Sequence, residues 1–305
     1  MALQILSYIA FVIALLAIIV RVIKYASAPL SMRWELYPVP HERGRSEYGG
    51  SYLEELNWWT KPKETDNLNE LKEMLSEILL LKGVFHHNKK VWTWSFPFHL
   101  GMYFSIGWLV MLLVGAVLAA FDMNISAGGG TIGQIIHYLT IPFGYAGLGL
   151  SAIGAFGLFI WRMSDSEQRA FNTFADYFNL VLVFGVTGLA LVSHLVGDPS
   201  FVTVRAYMAS LVTFSTPPAV STLMMIEIAL VSLVIMYIPL TRMSHFVAKY
   251  FLYHAVRWND EANERGSKIE KRIVELLQQK VGWSAAHIKT GETWAAVVTE
   301  ETKNE

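Results

Sequence analysis

Nine histidines occur in this chain of 305 residues. Four of them, His99, His137, His194 and His245, stand within or at the ends of apolar runs, where an ionisable side chain is costly unless paired or ligated. His99 lies in WSFPFHLG at 94–101 and His245 closes IPLTRMSH at 238–245, each with a proline close by. His137 begins one apolar run and His194 closes another. Depth sorts the four into two pairs, His99 with His245 at one boundary and His137 with His194 at the other. A pair of histidines from two facing helices suits axial ligation of haem iron, because neutral imidazole is an iron ligand and opposite ligands must face each other. Two stacked b haems would then carry electrons across the bilayer. The plainer reading makes some of them interfacial histidines bonded to lipid headgroups or neighbouring carbonyls. His41, His86, His87, His254 and His287 fall outside the apolar runs and read as surface histidines.

The elements that must position these residues follow from composition. With 53% hydrophobic and 16% charged residues, the chain reads as an integral membrane protein rather than one soluble domain. A hydrocarbon core of about 30 Å needs roughly 20 helical residues. Five segments are long enough: Leu3 to Val22, Phe98 to Ala120, Gly133 to Trp161, Phe174 to Val196 and Val220 to Leu240. The fold expected is all-α, an integral membrane bundle of five transmembrane helices. Arg21 and Lys24 follow the first apolar run instead of preceding it, so that run reads as a retained helix and not a secretory signal.

Orientation follows from the basic residues, which cytoplasmic flanks attract. Segments 21–93, 161–171 and 242–305 hold 11, 2 and 10 of the 24 Lys and Arg residues, leaving Arg205 alone on the other side. The amino terminus is thus expected outside and the carboxyl terminus in the cytoplasm, in the inner (cytoplasmic) membrane of a cell. The expected organisation is a first transmembrane helix over 1–25, a cytoplasmic loop with an amphipathic helix over 26–93, a haem-binding core of four helices over 94–247 and a cytoplasmic tail over 248–305.

The absence of cysteine means that this chain supplies no thiolate to an iron–sulfur cluster and attaches no c-type haem. Any cluster belongs to a partner. A net charge of −1, with basic residues spread along membrane flanks, argues against a nucleic-acid role. The glycine-rich GYAGLGLSAIGAFG at 144–157 has a partial dinucleotide-like pattern, but no strand precedes it, and close helix packing through small residues is the better reading.

FPFHLG entering the second span and IPLTRMSH leaving the fifth together resemble the gamma subunit of respiratory nitrate reductases. More broadly they are similar to the cytochrome b subunits of the dissimilatory sulfite reductase-linked and heterodisulfide reductase membrane complexes. The resemblance covers Trp94 to Phe251 and implies a five-helix protein with an outside amino terminus. Such a protein passes electrons between menaquinone or a similar quinone and a cytoplasmic iron–sulfur subunit of the nitrate reductase beta or heterodisulfide reductase type. Phe98, His99, Leu100 and Gly101, with Thr241, Arg242, Met243, Ser244 and His245, match the positions that hold the family's cytoplasm-side haem. The family takes its other ligands ten residues after the first histidine and eighteen before the last, and here those positions are Leu109 and Glu227. An outer haem would have to use His137 and His194, so haem b is expected in two copies or in one. The resemblance also makes the start of the third span, and so His137, a border of the quinol pocket.

Two stretches outside the spans are amphipathic. NLNELKEMLSEILLLKGVF puts Leu68, Leu71, Leu75, Ile78, Leu79 and Leu81 largely on one helical face, and IEKRIVELLQQKVGW at 269–283 has similar character. Each suits the membrane surface or a partner subunit. Glu227 is the only carboxylate well inside a span; on a continuous helix it would share a face with His245, five turns away, and could accept a proton from a quinol. Two functions stay open: a quinone-linked b-type cytochrome subunit of an oxidoreductase, and a transmembrane transporter or proton pathway built on the buried histidines and Glu227.

Overall fold

The computed structural model describes residues 1–27, 56–57, 60, 66–252, 265–285 and 288–299. The expectations on His41, His254 and His287, and on most of the loop after the first helix, lie outside the described residues. The chain divides into two units, one of Met1–Leu16 with Leu75–Thr241 and one of Ala17–Met74 with Arg242–Glu305.

The helices are, in chain order, α1 (Ala2–Ala26), α2 (Asn67–Leu80), α3 (Lys82–His87), α4 (Lys89–Ala120), α5 (Thr131–Ser164), α6 (Ser166–Phe171), α7 (Phe174–Gly197), α8 (Val202–Val212), α9 (Thr222–Leu240), α10 (His245–Leu252), α11 (Lys268–Leu277) and α12 (Trp294–Thr299). Five of them, α1, α4, α5, α7 and α9, are long and apolar enough to cross a membrane. The described chain is therefore all-α, with two isolated bridges in the tail and no extended strand, and its five apolar helices make it a multi-pass membrane protein.

Helix ends explain the differences from the expected spans. Asn88 caps α4 by accepting from the Val91 amide at 3.1 Å, so the helix starts at Lys89 and His99 sits ten residues inside it. Ser221 caps α9 by accepting from the Met224 amide at 3.2 Å, and Thr173 with Asp176 forms a reciprocal capping box on α7. At its far end α9 stops at Leu240, where Thr241 takes an extended conformation and Arg242–Ser244 forms a 3₁₀ turn. The continuous five-turn register expected between Glu227 and His245 does not exist.

Packing in the first unit centres on α4 against α5. A Cβ added to Gly101 would lie 2.2 Å from the Ser151 amide nitrogen, one on Gly154 2.3 Å from that of Phe98, and one on Gly147 2.6 Å from that of Ser105. The two backbones touch through small residues, which is the role expected of the glycine-rich stretch.

The short helix α8 falls where the sequence suggested only a connection. Its Val204 joins Trp108, Leu112 and Phe201 in a buried cluster. α1 meets it through a polar seam: Gln4 Nε2 donates to Ser210 Oγ at 3.1 Å and to the Ser215 carbonyl at 2.9 Å, and Tyr8 donates to the Leu211 carbonyl at 2.8 Å. Ser7 Oγ shares hydrogen bonds with Tyr207 at 3.0 Å and with Ser232 of α9 at 3.2 Å. Such bonds between helices are favoured where water is scarce.

Outside the spans, α2 ends at Leu80 because Leu81 adopts a left-handed conformation with φ of 53°. Leu68, Leu71, Leu75 and Leu79 of its apolar face are all exposed. In the second unit α11 is capped by Ser267, which accepts from the Glu270 amide at 3.1 Å. It ends at Leu277, and beyond it Lys280 pairs with Thr293 in a single antiparallel bridge.

Candidate functional site

The strongest buried polar cluster is built by the end of α7, the turn after it, and α9. His194 occupies the last turn of α7 and is fully buried. Its Nε2 is hydrogen-bonded to Glu227 Oε1 at 2.8 Å, and Glu227 is itself buried on α9. On the other side of the ring, Nδ1 lies 3.7 Å from Asp198 Oδ2, within ion-pair range but too long for a direct hydrogen bond.

Asp198 is held by a second task. Its Oδ1 accepts from the Thr203 amide and its Oδ2 from the Val204 amide, each at 3.0 Å, so it caps the first turn of α8. Burial pushes the Asp198 carboxyl up, but the His194 ring and the two amides outweigh it and hold it below the usual carboxylate range. Phe201, between the two helices, is fully buried at φ of 56°, a left-handed conformation that is strained for a bulky residue. That backbone places its ring 4.5 Å from the His194 ring, centroid to centroid, with Trp108 edge-on to His194 at 5.5 Å. The imidazole is thereby fixed by two carboxylates and two aromatic rings.

Around this cluster several buried polar atoms have no hydrogen-bond partner: Glu227 Oε2, Trp108 Nε1, Ser193 Oγ, and Nε and Nη2 of Arg205. Arg205 is buried on α8, donates from Nη1 to the Ile125 carbonyl at 3.3 Å and feels the charge of Asp198.

The remaining sequence candidates are placed as follows. His137 is buried near the start of α5 with Nδ1 lacking a hydrogen bond, and Arg205 is its charged neighbour. His99 is half-buried on α4, and its Nδ1 is 2.7 Å from the Ser95 carbonyl. His245 opens α10 in the second unit, is exposed, and points Nδ1 at the Arg242 carbonyl at 3.3 Å. Leu109 packs against the Trp108 cluster, and His86 and His87 are exposed on α3.

Haem ligation can be tested against these contacts. His99 fits: a carbonyl facing Nδ1 favours the tautomer with its proton there, the arrangement usual for metal-bound histidine. His194 does not fit, since Nε2 is engaged by Glu227 and the ring is clamped. In the structure the partner of His194 Nε2 is Glu227. Sequence reasoning missed Asp198 and used Arg205 only for topology. The spacing of His194 and Asp198, four apart at a helix end, was the available signal for the first.

No protein-family model matches the chain, and no curated protein or solved structure is significantly similar to it.

Proposed function

We propose that the chain is a membrane-bound b-type cytochrome subunit, exchanging electrons between a menaquinone-like quinol and a cytoplasmic iron–sulfur partner. The observation that carries this reading is His99: an imidazole inside a membrane-spanning helix, with Nδ1 facing the Ser95 carbonyl at 2.7 Å, the contact a metal-bound histidine usually makes through its other ring nitrogen. A haem bound there would supply one-electron transfer. The amino terminus is outside on this reading, which rests on the distribution of Lys and Arg. Glu227 would take one of the two protons that a hydroquinone releases on oxidation, because its buried Oε2 has no other partner. The exposed leucines of α2 would meet the partner or the membrane surface. A reduced-minus-oxidised absorption spectrum of the purified protein tests the reading: b-type haem bands are expected, and their absence would refute it.

The contact between His194 and Glu227 specifically favours a second reading, a proton pathway or transporter that needs no haem. In that case the spectrum is featureless, and the protein in vesicles carries protons at a rate that Glu227→Gln abolishes.

A further inference from the structure

Glu227 of α9, His194 of α7 and Asp198 of the turn before α8 form a line of ionisable groups, none more than 5% exposed. Each member is restrained by something other than the line. Asp198 cannot turn away without uncapping α8, since both its oxygens accept helix amides. His194 is pressed by Phe201 and Trp108. Glu227 uses Oε1 on the imidazole and leaves Oε2 buried without a hydrogen bond.

We infer that Asp198, His194 and Glu227 hold a proton as one unit, with Asp198 positioning the imidazole and Oε2 of Glu227 the atom at which the proton is exchanged. Across 2.8 Å the carboxylate with an imidazolium and the carboxylic acid with a neutral imidazole carry the same total charge, so the proton can pass between the two without changing the charge of the unit. Asp198, 3.7 Å behind the ring, favours the imidazolium and keeps Nδ1 turned toward the α8 cap. Among the described residues, the other ionisable groups near the line are Arg205 of α8, which acts on Asp198, His137 and Tyr145 of α5, which are neighbours of Arg205 and Asp198 respectively, and Tyr207 of α8, which packs with Met224 and Ile228 of α9. α4 contributes Trp108, which does not titrate. The step is proton transfer alone: a donor O–H bond breaks as the Glu227 Oε2–H bond forms, and no electron moves. Naming that donor as a hydroquinone rests on the proposed function; the shared unit does not.

The test is infrared difference spectroscopy of the full chain in detergent micelles over a pH titration, with the buried carboxyl signal assigned by its loss in Glu227→Gln. Asp198→Asn and Asp198→Ser both keep a capping side chain for α8 while removing the charge beside Nδ1. In each, the carboxylic-acid band of Glu227 at neutral pH should be stronger than in the intact protein, since loss of the anion behind the ring weakens the imidazolium and leaves the proton on Glu227. A Glu227 band absent at every pH, or one that is unchanged or weaker in both Asp198 variants, overturns the inference. The haem spectrum has no bearing on this outcome, so the two readings fall separately.

Discussion

His194 and Glu227, 33 residues apart in sequence and on different helices, meet at 2.8 Å with neither side chain reaching solvent. Removing one member of such a pair strands the other, a loss of about 3–5 kcal/mol in soluble interiors, whereas replacing both with apolar residues is often tolerated. His194→Leu should therefore lower the unfolding temperature in detergent more than the double variant His194→Leu/Glu227→Leu does. A double variant that melts below His194→Leu would show that the contact contributes little.

Asp198 supplies a pH dependence whose sign is fixed. Its folded-state pKa is depressed, so its contribution is complete above the ordinary carboxylate value of about 3.9 and is lost as pH falls through the lower folded value. The intact protein should be more stable than Asp198→Asn at neutral pH, and the two melting curves should converge below about pH 4. A gap that stayed constant into acid would assign the effect to packing instead of charge.

The glycines of α5 divide into two kinds. Gly154 has the Phe98 backbone 2.3 Å from where its Cβ would be, whereas Gly149 has nothing within 4 Å. Gly154→Leu should force α4 and α5 apart and yield little folded protein by size-exclusion chromatography. Gly149→Ala should be neutral or gain a few tenths of a kcal/mol, because alanine restricts the unfolded chain and meets no neighbour. Equal behaviour of the two variants would rule out backbone contact as the reason for the glycines.

The five long helices were legible because apolar runs of about 20 residues admit few other structures. The depth of His194 and of Glu227 was legible for the same reason. Their partnership was not, because hydropathy reports depth and not which way a helix is turned. The extrapolation from Glu227 to His245 failed on a local break: Thr241 is extended after Pro239, so helical phase is lost before His245. α8 went unseen because VTVRAYMASLV is 11 residues long and carries Arg205; it is held as a helix by the Asp198 cap and by the Gln4, Ser7 and Tyr8 seam, all contacts distant in sequence. Asp198 was hidden for a related reason, since one carboxylate at the end of a span reads as a surface charge until the helix it caps is known.

Haem content separates the histidines by role. His99 turns Nδ1 to the Ser95 carbonyl, whereas His194 gives Nε2 to Glu227 and is enclosed by Phe201 and Trp108. If His99 is an axial ligand and His194 belongs to proton handling, His99→Ala should remove haem as measured by the pyridine haemochrome assay. His194→Ala should retain it at the level of the intact protein. On the family resemblance His245→Ala should behave as His99→Ala does, while Leu109 and Glu227 variants should keep their haem. His137→Ala distinguishes one haem from two: with His194 committed to Glu227, its haem content should stay unchanged. Loss of a haem equivalent in both His137→Ala and His194→Ala would restore the outer pair and require the His194 ring to leave Glu227 when haem binds.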